Sequence, residues 1–412
     1  MNNGSDRTAQ VFVSHREREL GVLGPFPVGR PRWHDVEPVN EHLAAALGVP
    51  TVVLRVLDVE GGDGGQGGLV SYHAEALADP GQVTGLRAAT EAELAALRPH
   101  PLRAEYATAT GVRAALDWAE RELAAAGRPV VGPVTQVKTW NLAGLFRLPT
   151  ATGPVWLKTG RGFAVDEAAV IGLVDSVDPG FAPTVLGAEA ERRWLLLDHV
   201  PGEDCWGPSA EVIAATVPRL ARAQAALAAS YPGGAPAGLP DRSPRALLPG
   251  VKLLLDGEAG AELTADELRR AHLMNDQLPA LIEQLESCGL PATVLHGDFH
   301  PGNWRSAGQG TVLVDFADSY YGHPAIDGLR PADFTSEERW SQAAELWSEA
   351  WRTLVPGSDP ARALRLAAPL AHLAYAVRYQ EFLDGIEPSE YRYHAGDPAA
   401  ELRAAVAAFE AL

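Results

Sequence analysis

Cysteine is nearly absent: Cys205 and Cys288 are the only two in 412 residues. Two thiols build neither a disulfide framework nor a cysteine-based metal site, and they suit a reducing, cytoplasmic setting. Long apolar runs are missing as well. The longest apolar helix candidate, Ala363 to Val377, is interrupted by Arg365 and His372, so no membrane span is expected. The start, Met1 to Glu19, is polar and lacks the apolar core of a signal peptide. Basic charge is in deficit, with 34 Lys and Arg against 53 Asp and Glu and a net charge of −19. That balance argues against nucleic acid as a partner, because phosphate recognition wants a basic face. An acidic surface reads first as solubility and second as steering for cationic ligands. A hydrophobic fraction of 46% still supplies core for two or three domains in a chain of this length.

What is present concentrates between residues 294 and 318, which read VLHGDFHPGNWRSAGQGTVLVDFAD. An apolar approach leads into His296-Gly297-Asp298, a Pro301-Gly302 turn brings back Asn303, and a second apolar strand from Thr311 to Val314 delivers Asp315. Three oxygen-bearing side chains thus stand on loops at strand ends, where a rigid scaffold can aim them. Phosphoryl transfer asks a protein mainly for positioning and charge neutralisation. One carboxylate, Asp298, would accept or orient the proton of an acceptor hydroxyl; an amide and a second carboxylate, Asn303 and Asp315, would hold Mg²⁺. The bland alternative is an acidic turn between two core strands. The ordered set of His296, Asp298, Asn303, Asp315 and Asp327 weighs against it.

With His-Gly-Asp in place of His-Arg-Asp and Asp315-Phe316-Ala317 in place of Asp-Phe-Gly, the stretch departs from protein kinases and resembles the aminoglycoside phosphotransferase and choline kinase-like family. Gly322 to Asp327, with Pro324-Ala325 and a structural acid, is similar to that family too. The resemblance implies an α+β, protein-kinase-like two-lobe fold: a β-rich small lobe and a mainly helical large lobe, here with an additional N-terminal α+β extension. Boundaries are expected at 1–125 for the extension, 126–202 for the small lobe with its hinge, and 203–412 for the large lobe.

The resemblance also implies the nucleotide site. Val134 to Trp140, Leu145 to Leu148 and Val155 to Lys158 read as strands, and the loop at Asn141 to Gly144 takes the place of the nucleotide loop with a single glycine. Lys158 would anchor the α- and β-phosphates, paired with Glu167 at the start of a helix from Val165 to Val174. A lone strand lysine is otherwise an edge or solvated residue. Asp198, His199 and Val200, after an apolar strand, match the inter-lobe hinge that meets the adenine edge through backbone groups. His296 would brace the loop, and Asp318 and Asp327 would be structural. His300 is open between loop fixing and contact with acceptor or phosphate.

Elsewhere, Pro50 to Asp58 and Gly68 to Glu75 read as a hairpin around a glycine-rich loop, Thr90 opens a capping box, and Val112 to Ala125 is helical. Helices are expected over Ser209 to Ser230, Thr264 to Glu286, Ser336 to Thr353 and Ala361 to Leu383, with Gly233 to Pro249 as a surface loop. Trp340, Trp347 and Trp351 share a helical face and read as core. Acceptor recognition is expected near Tyr379, Asp384 and Glu387, against the alternative of a solvated helix end. The reading is a phosphotransferase using ATP, with GTP left open, and Mg²⁺ to phosphorylate a hydroxyl of a small molecule. A peptide Ser or Thr as acceptor, and a non-catalytic nucleotide-binding protein, are the rivals. The role of the extension stays open between a cap and a dimerisation element.

Overall fold

A computed structural model describes residues 7–16, 18–308 and 310–412. Positions 1–6 and 17 of the polar start therefore lie outside the described residues. The chain divides into two compact units: Met1–Phe163, Leu186–His199 and Phe382–Ala395 form one, and Ala164–Val185, Val200–Glu381 and Gly396–Leu412 form the other.

In the first unit, strands β1 (Arg7–His15), β2 (Arg18–Val28), β3 (Thr51–Glu60) and β4 (Gly68–Ala76) make a sheet in the order β2-β1-β4-β3. The hairpin read from the sequence is β3–β4, antiparallel across the glycine-rich loop. Glycine is required at its end: Gly68 has φ +74°, and a Cβ there would stand 2.2 Å from the Gly61 carbonyl oxygen. Strands β1 and β2 and the helix Glu37–Leu47 were not anticipated. Alternation does mark β1, whose Ala9, Val11 and Val13 are buried, but its parallel pairing with β4 joins segments far apart in sequence.

The second sheet runs β5-β6-β7-β9-β8, from β5 (Thr135–Thr139), β6 (Ala143–Thr150), β7 (Gly153–Gly160), β8 (Val185–Glu189) and β9 (Trp194–Asp198). One apolar core serves both parts of this unit. Val52 and Leu54 of β3 pack with Val112 and Trp118 of the helix Ala109–Ala125 and with Phe146, Leu157 and Leu196 of the second sheet. Each such side chain contributes about 1.5–3 kcal/mol on burial. Gln136 adds a polar seam, donating from Nε2 to the Val53 carbonyl at 2.7 Å and accepting the Val53 N–H at 2.8 Å. Buried ion pairs fasten residues 382–395 to the N-terminal part: Arg103 to Glu387 at 2.9 Å, and Arg161 to Glu390 at 2.6 Å.

The second unit is mainly helical. Helices Glu167–Val177, Ala210–Ser230, Ala265–Glu286, Glu337–Leu354 and Pro360–Gly385 stand close to where the apolar periodicity puts them, the last continuing beyond this unit. Ser209 caps one and Thr264 forms a capping box on another. Trp347 and Trp351 are fully buried, as core residues. The stretch read as a loop up to Pro249 is helical from Pro244. Proline is accepted at the first helical position, and the buried face of Leu247, Val251, Leu254 and Leu255 outweighs the break that Pro249 would otherwise make. Short strands frame the central loops: β10 (Glu203–Asp204), β12 (Trp304–Ser306) and β13 (Thr311–Leu313) form one sheet, and β11 (Thr293–Leu295) pairs antiparallel with β14 (Tyr320–Gly322). Among the described residues no helix is long and apolar enough to cross a membrane.

Candidate active site

Two loops of the second unit carry the chemistry, one from β11 to β12 and one from β13 to β14. They meet closely at Gly297, which has φ +85° and where a Cβ would lie 2.0 Å from the Asp318 carbonyl oxygen. Only glycine permits that approach.

Asp327 anchors the first loop from beneath. Its carboxylate accepts the N–H groups of His296 at 2.7 Å and Gly297 at 3.0 Å, and Nε2 of Gln224 at 2.8 Å. Asp327 is fully buried, and burial raises its carboxyl to about 7 against the pull of those donors. His296 then ties the two loops together. Its Nδ1 accepts the Asp298 N–H at 3.3 Å, so Nε2 carries the proton and donates to the Val314 carbonyl at 3.0 Å. Burial lowers the pKa of His296 and keeps it neutral, which suits the bracing role read from its position.

Asp298, 28% exposed, is held from several sides. Arg330 Nε donates to Oδ1 at 2.9 Å; His300 Nε2 lies 3.2 Å from Oδ2, and Asn303 Nδ2 donates to Oδ2 at 3.2 Å and to the Asp298 carbonyl at 3.0 Å. Burial pushes the carboxyl up, but the His300 hydrogen bond and the Arg330 charge outweigh it and hold Asp298 below the usual carboxylate range. A carboxylate so stabilised is a weak proton acceptor and a good hydroxyl-orienting group. His300 is itself fixed. Its Nδ1 accepts the Gly302 N–H at 3.0 Å, and its ring stacks on Phe334 and Trp206 with centroids 4.4 and 5.2 Å away.

Asp315 has φ +68°, one of three described non-glycine residues with positive φ. Aspartate tolerates that region better than most residues, at a cost on the order of 1–3 kcal/mol, and such outliers gather at functional sites. Both chain neighbours of Asp315 are pinned. Val314 donates its N–H to the Asn303 carbonyl at 2.9 Å, and Phe316 donates its N–H to Glu167 Oε1 at 3.0 Å. Glu167 is 8% exposed at the first position of its helix. Asp298, Asn303 and the Asp315 segment are thus brought together by direct links. Asp318 is held by Arg378, whose Nη2 lies 2.6 Å from Oδ1.

In the first unit, Lys158 stands on β7, the central strand of its sheet, so the edge explanation for a strand lysine does not apply. Asn141 is 2% exposed between β5 and β6, and its Nδ2 is buried without a hydrogen-bond partner. Asp198 accepts from Arg128 at 3.0 Å and from the His199 N–H at 3.0 Å, which lowers its pKa. His199 Nδ1 accepts from Trp156 Nε1 at 3.2 Å. Val200 belongs to the second unit, and its carbonyl accepts from Arg305 Nε at 3.3 Å.

The residues read as acceptor contacts are divided. His300 and Tyr379 lie in the second unit, the latter half-buried against the cluster containing Tyr375 and Leu295. Asp384 and Glu387 lie in the first. Asp384 is exposed, whereas Glu387 is 3% exposed with Arg103 and Arg55 on its carboxylate. Arg330 was missed altogether. It stands three residues after Asp327, one helical turn on, and that spacing was the only signal available.

Residues 164–364 match the model of the phosphotransferase enzyme family, in line with the resemblance drawn from the HGD and DFA segments. No curated protein matches the chain. Among solved structures, a fructosamine-3-kinase candidate from Thermobifida fusca is 19% identical with a TM-score of 0.51, the alignment covering 71% of this chain and 98% of that one. The choline kinase of Streptococcus pneumoniae is 13% identical with a TM-score of 0.53, covering 72% of this chain and 99% of the other. These similarities show the α+β kinase-like fold, with the two larger sheets in one unit and most helices in the other.

Proposed function

We propose, from the match of residues 164–364 to the phosphotransferase enzyme family, that the chain transfers the γ-phosphoryl group of ATP, with Mg²⁺, to a hydroxyl of a small molecule. Aminoglycosides and other antibiotics, amino sugars and choline-like alcohols are the acceptor classes. The observation that carries this reading is the Asp298–Asn303 pair, hydrogen-bonded at 3.2 Å on a loop braced by His296 and Asp327.

The residues fit the two groups that this reaction needs. Asn303 spends its amide N–H on Asp298, so its Oδ1 is the atom that would hold a cation, and Asp315 would add a carboxylate one residue from the Val314–Asn303 link. Magnesium commonly takes one or two protein oxygens and completes its shell with phosphate and water. The unspent Nδ2 of Asn141 suits a phosphate oxygen, and we assign the phosphate anchor to Lys158 and a part in nucleotide binding to Glu167. Backbone groups of Asp198, His199 and Val200 are assigned to the nucleobase. When bound, Mg²⁺-ATP supplies the phosphoryl group and neutralises its charge. Asp298 orients the acceptor hydroxyl and takes its proton late, as its low basicity requires. Asn303 holds that carboxylate in place, while His296 and Asp327 keep the loop from shifting. We place the enzyme in the cytoplasm.

The test is ADP release from Mg²⁺-ATP against aminoglycosides, amino sugars, choline analogues and nucleoside antibiotics, beside Asp298→Asn. Turnover that disappears in a folded Asp298→Asn variant supports the reading. Turnover only with Ser/Thr peptides moves the acceptor to protein, and ATP binding without transfer or hydrolysis refutes catalysis.

A further inference from the structure

We propose that Arg330 is a positioning residue for the transfer, and that it sets Oδ1 of Asp298 as the atom to which the acceptor hydroxyl binds. The inference rests on the role given to Asp298 above. A carboxylate oxygen offers about two lone-pair sites. Oδ2 of Asp298 is filled, by Asn303 Nδ2 at 3.2 Å and by His300 Nε2 at 3.2 Å. The second of these is a donor because the Gly302 N–H occupies Nδ1 of the same ring. Among the described residues Oδ1 takes one partner, Arg330 Nε at 2.9 Å. One site on Oδ1 is left, and on a carboxylate 28% exposed it is the place where a hydroxyl can dock.

The geometry of Arg330 is built for holding. Its guanidinium carbon lies 4.4 Å from the ring centroid of Tyr375 and 4.7 Å from that of Phe334, and its Nη1 reaches Asp333 at 3.3 Å. Two aromatic faces and two carboxylates fix the plane of the guanidinium, so Nε can approach Oδ1 from one direction only. Phe334 also stacks on His300. The same ring therefore supports the partners of both Asp298 oxygens. Without Arg330, Oδ1 loses its partner and the carboxylate can pivot about the bonds that Asn303 and His300 make to Oδ2, so the docking oxygen loses its fixed direction. A misplacement of about 1 Å costs on the order of 10²-fold in rate.

Arg330→Met keeps the volume between the aromatic rings and removes the donor. The expected result is a kcat lower by about 10²-fold with the KM for Mg²⁺-ATP within about twofold, and partial recovery in Arg330→Lys. If Arg330 acts through Asp298, the double variant with Asp298→Asn is no slower than Asp298→Asn alone. Additive losses, or wild-type kcat in Arg330→Met, overturn the proposal. A crystal structure of Arg330→Met tests it without turnover: a rotated Asp298 carboxylate supports it, and one left in place overturns it. A wild-type protein that transfers nothing refutes the proposed function instead, and that structure still decides about Arg330.

Discussion

Removing the Asp327 carboxylate should cost more than any other single change to the loop that carries Asp298. In Asp327→Ala three buried donors lose their acceptor: the N–H groups of His296 and Gly297, and Nε2 of Gln224. At about 1–3 kcal/mol for each orphaned donor the loss runs to roughly 3–9 kcal/mol, and water entering the vacated space brings it to roughly 3–5 kcal/mol. That is a large share of a typical total stability of about 5–15 kcal/mol. The cost depends on pH. The carboxyl titrates near 7 in the folded protein against 3.8 ordinarily, so between those values the folded state keeps a proton that the unfolded state has lost. Stability contributed by Asp327 is therefore greatest below about pH 4 and falls as pH rises towards 7, by about 4 kcal/mol at 1.36 kcal/mol per pH unit. Urea unfolding of both proteins at pH 5 and pH 8 is the assay, with a larger wild-type advantage expected at pH 5. Turnover at pH 7 should fall by about 10²-fold as the loop loosens. A loss below about 1 kcal/mol at both pH values would refute the anchoring argument.

Other changes separate the remaining roles. Glu167→Gln keeps an oxygen for the Phe316 N–H but removes the charge, and should raise the nucleotide KM about three- to tenfold while the melting temperature holds; unchanged kinetics would remove Glu167 from the phosphate site. Asp315→Asn should weaken apparent Mg²⁺ affinity by at least about tenfold, read from the Mg²⁺ dependence of turnover at fixed ATP. Glu387→Gln leaves Arg103 and Arg55 facing an uncharged amide in a buried setting and should lose about 3–5 kcal/mol in thermal or urea unfolding. Full stability there would mean that the two guanidiniums find water or other acceptors.

The site motifs were legible because they are local. His296, Asp298 and Asn303 fall within one loop, glycine at 297 is demanded by its backbone, and the second loop repeats the pattern of an apolar strand ending in an acid. Helices with long apolar stripes and capping residues, such as those begun by Ser209 and Thr264, were legible for the same reason. The helix from Pro244 was hidden by its prolines, since one of them starts it and the other is tolerated only because an apolar face is buried.

By itself the sequence determined the motifs that match the phosphotransferase family and the secondary structure wherever period and capping agree, because those depend on neighbours along the chain. Tertiary structure alone decided the rest. Strand β1 entered its sheet by parallel pairing with β4, which no local pattern encodes. The first 125 residues came to share an apolar core with the second sheet, through Val52 and Leu54, only once distant strands met. Arg330 became a partner of Asp298, and Glu387 a partner of Arg103, because folding brings together charges separated by 32 and 284 positions. Electrostatic energy depends on distance in space, and the sequence records only distance along the chain.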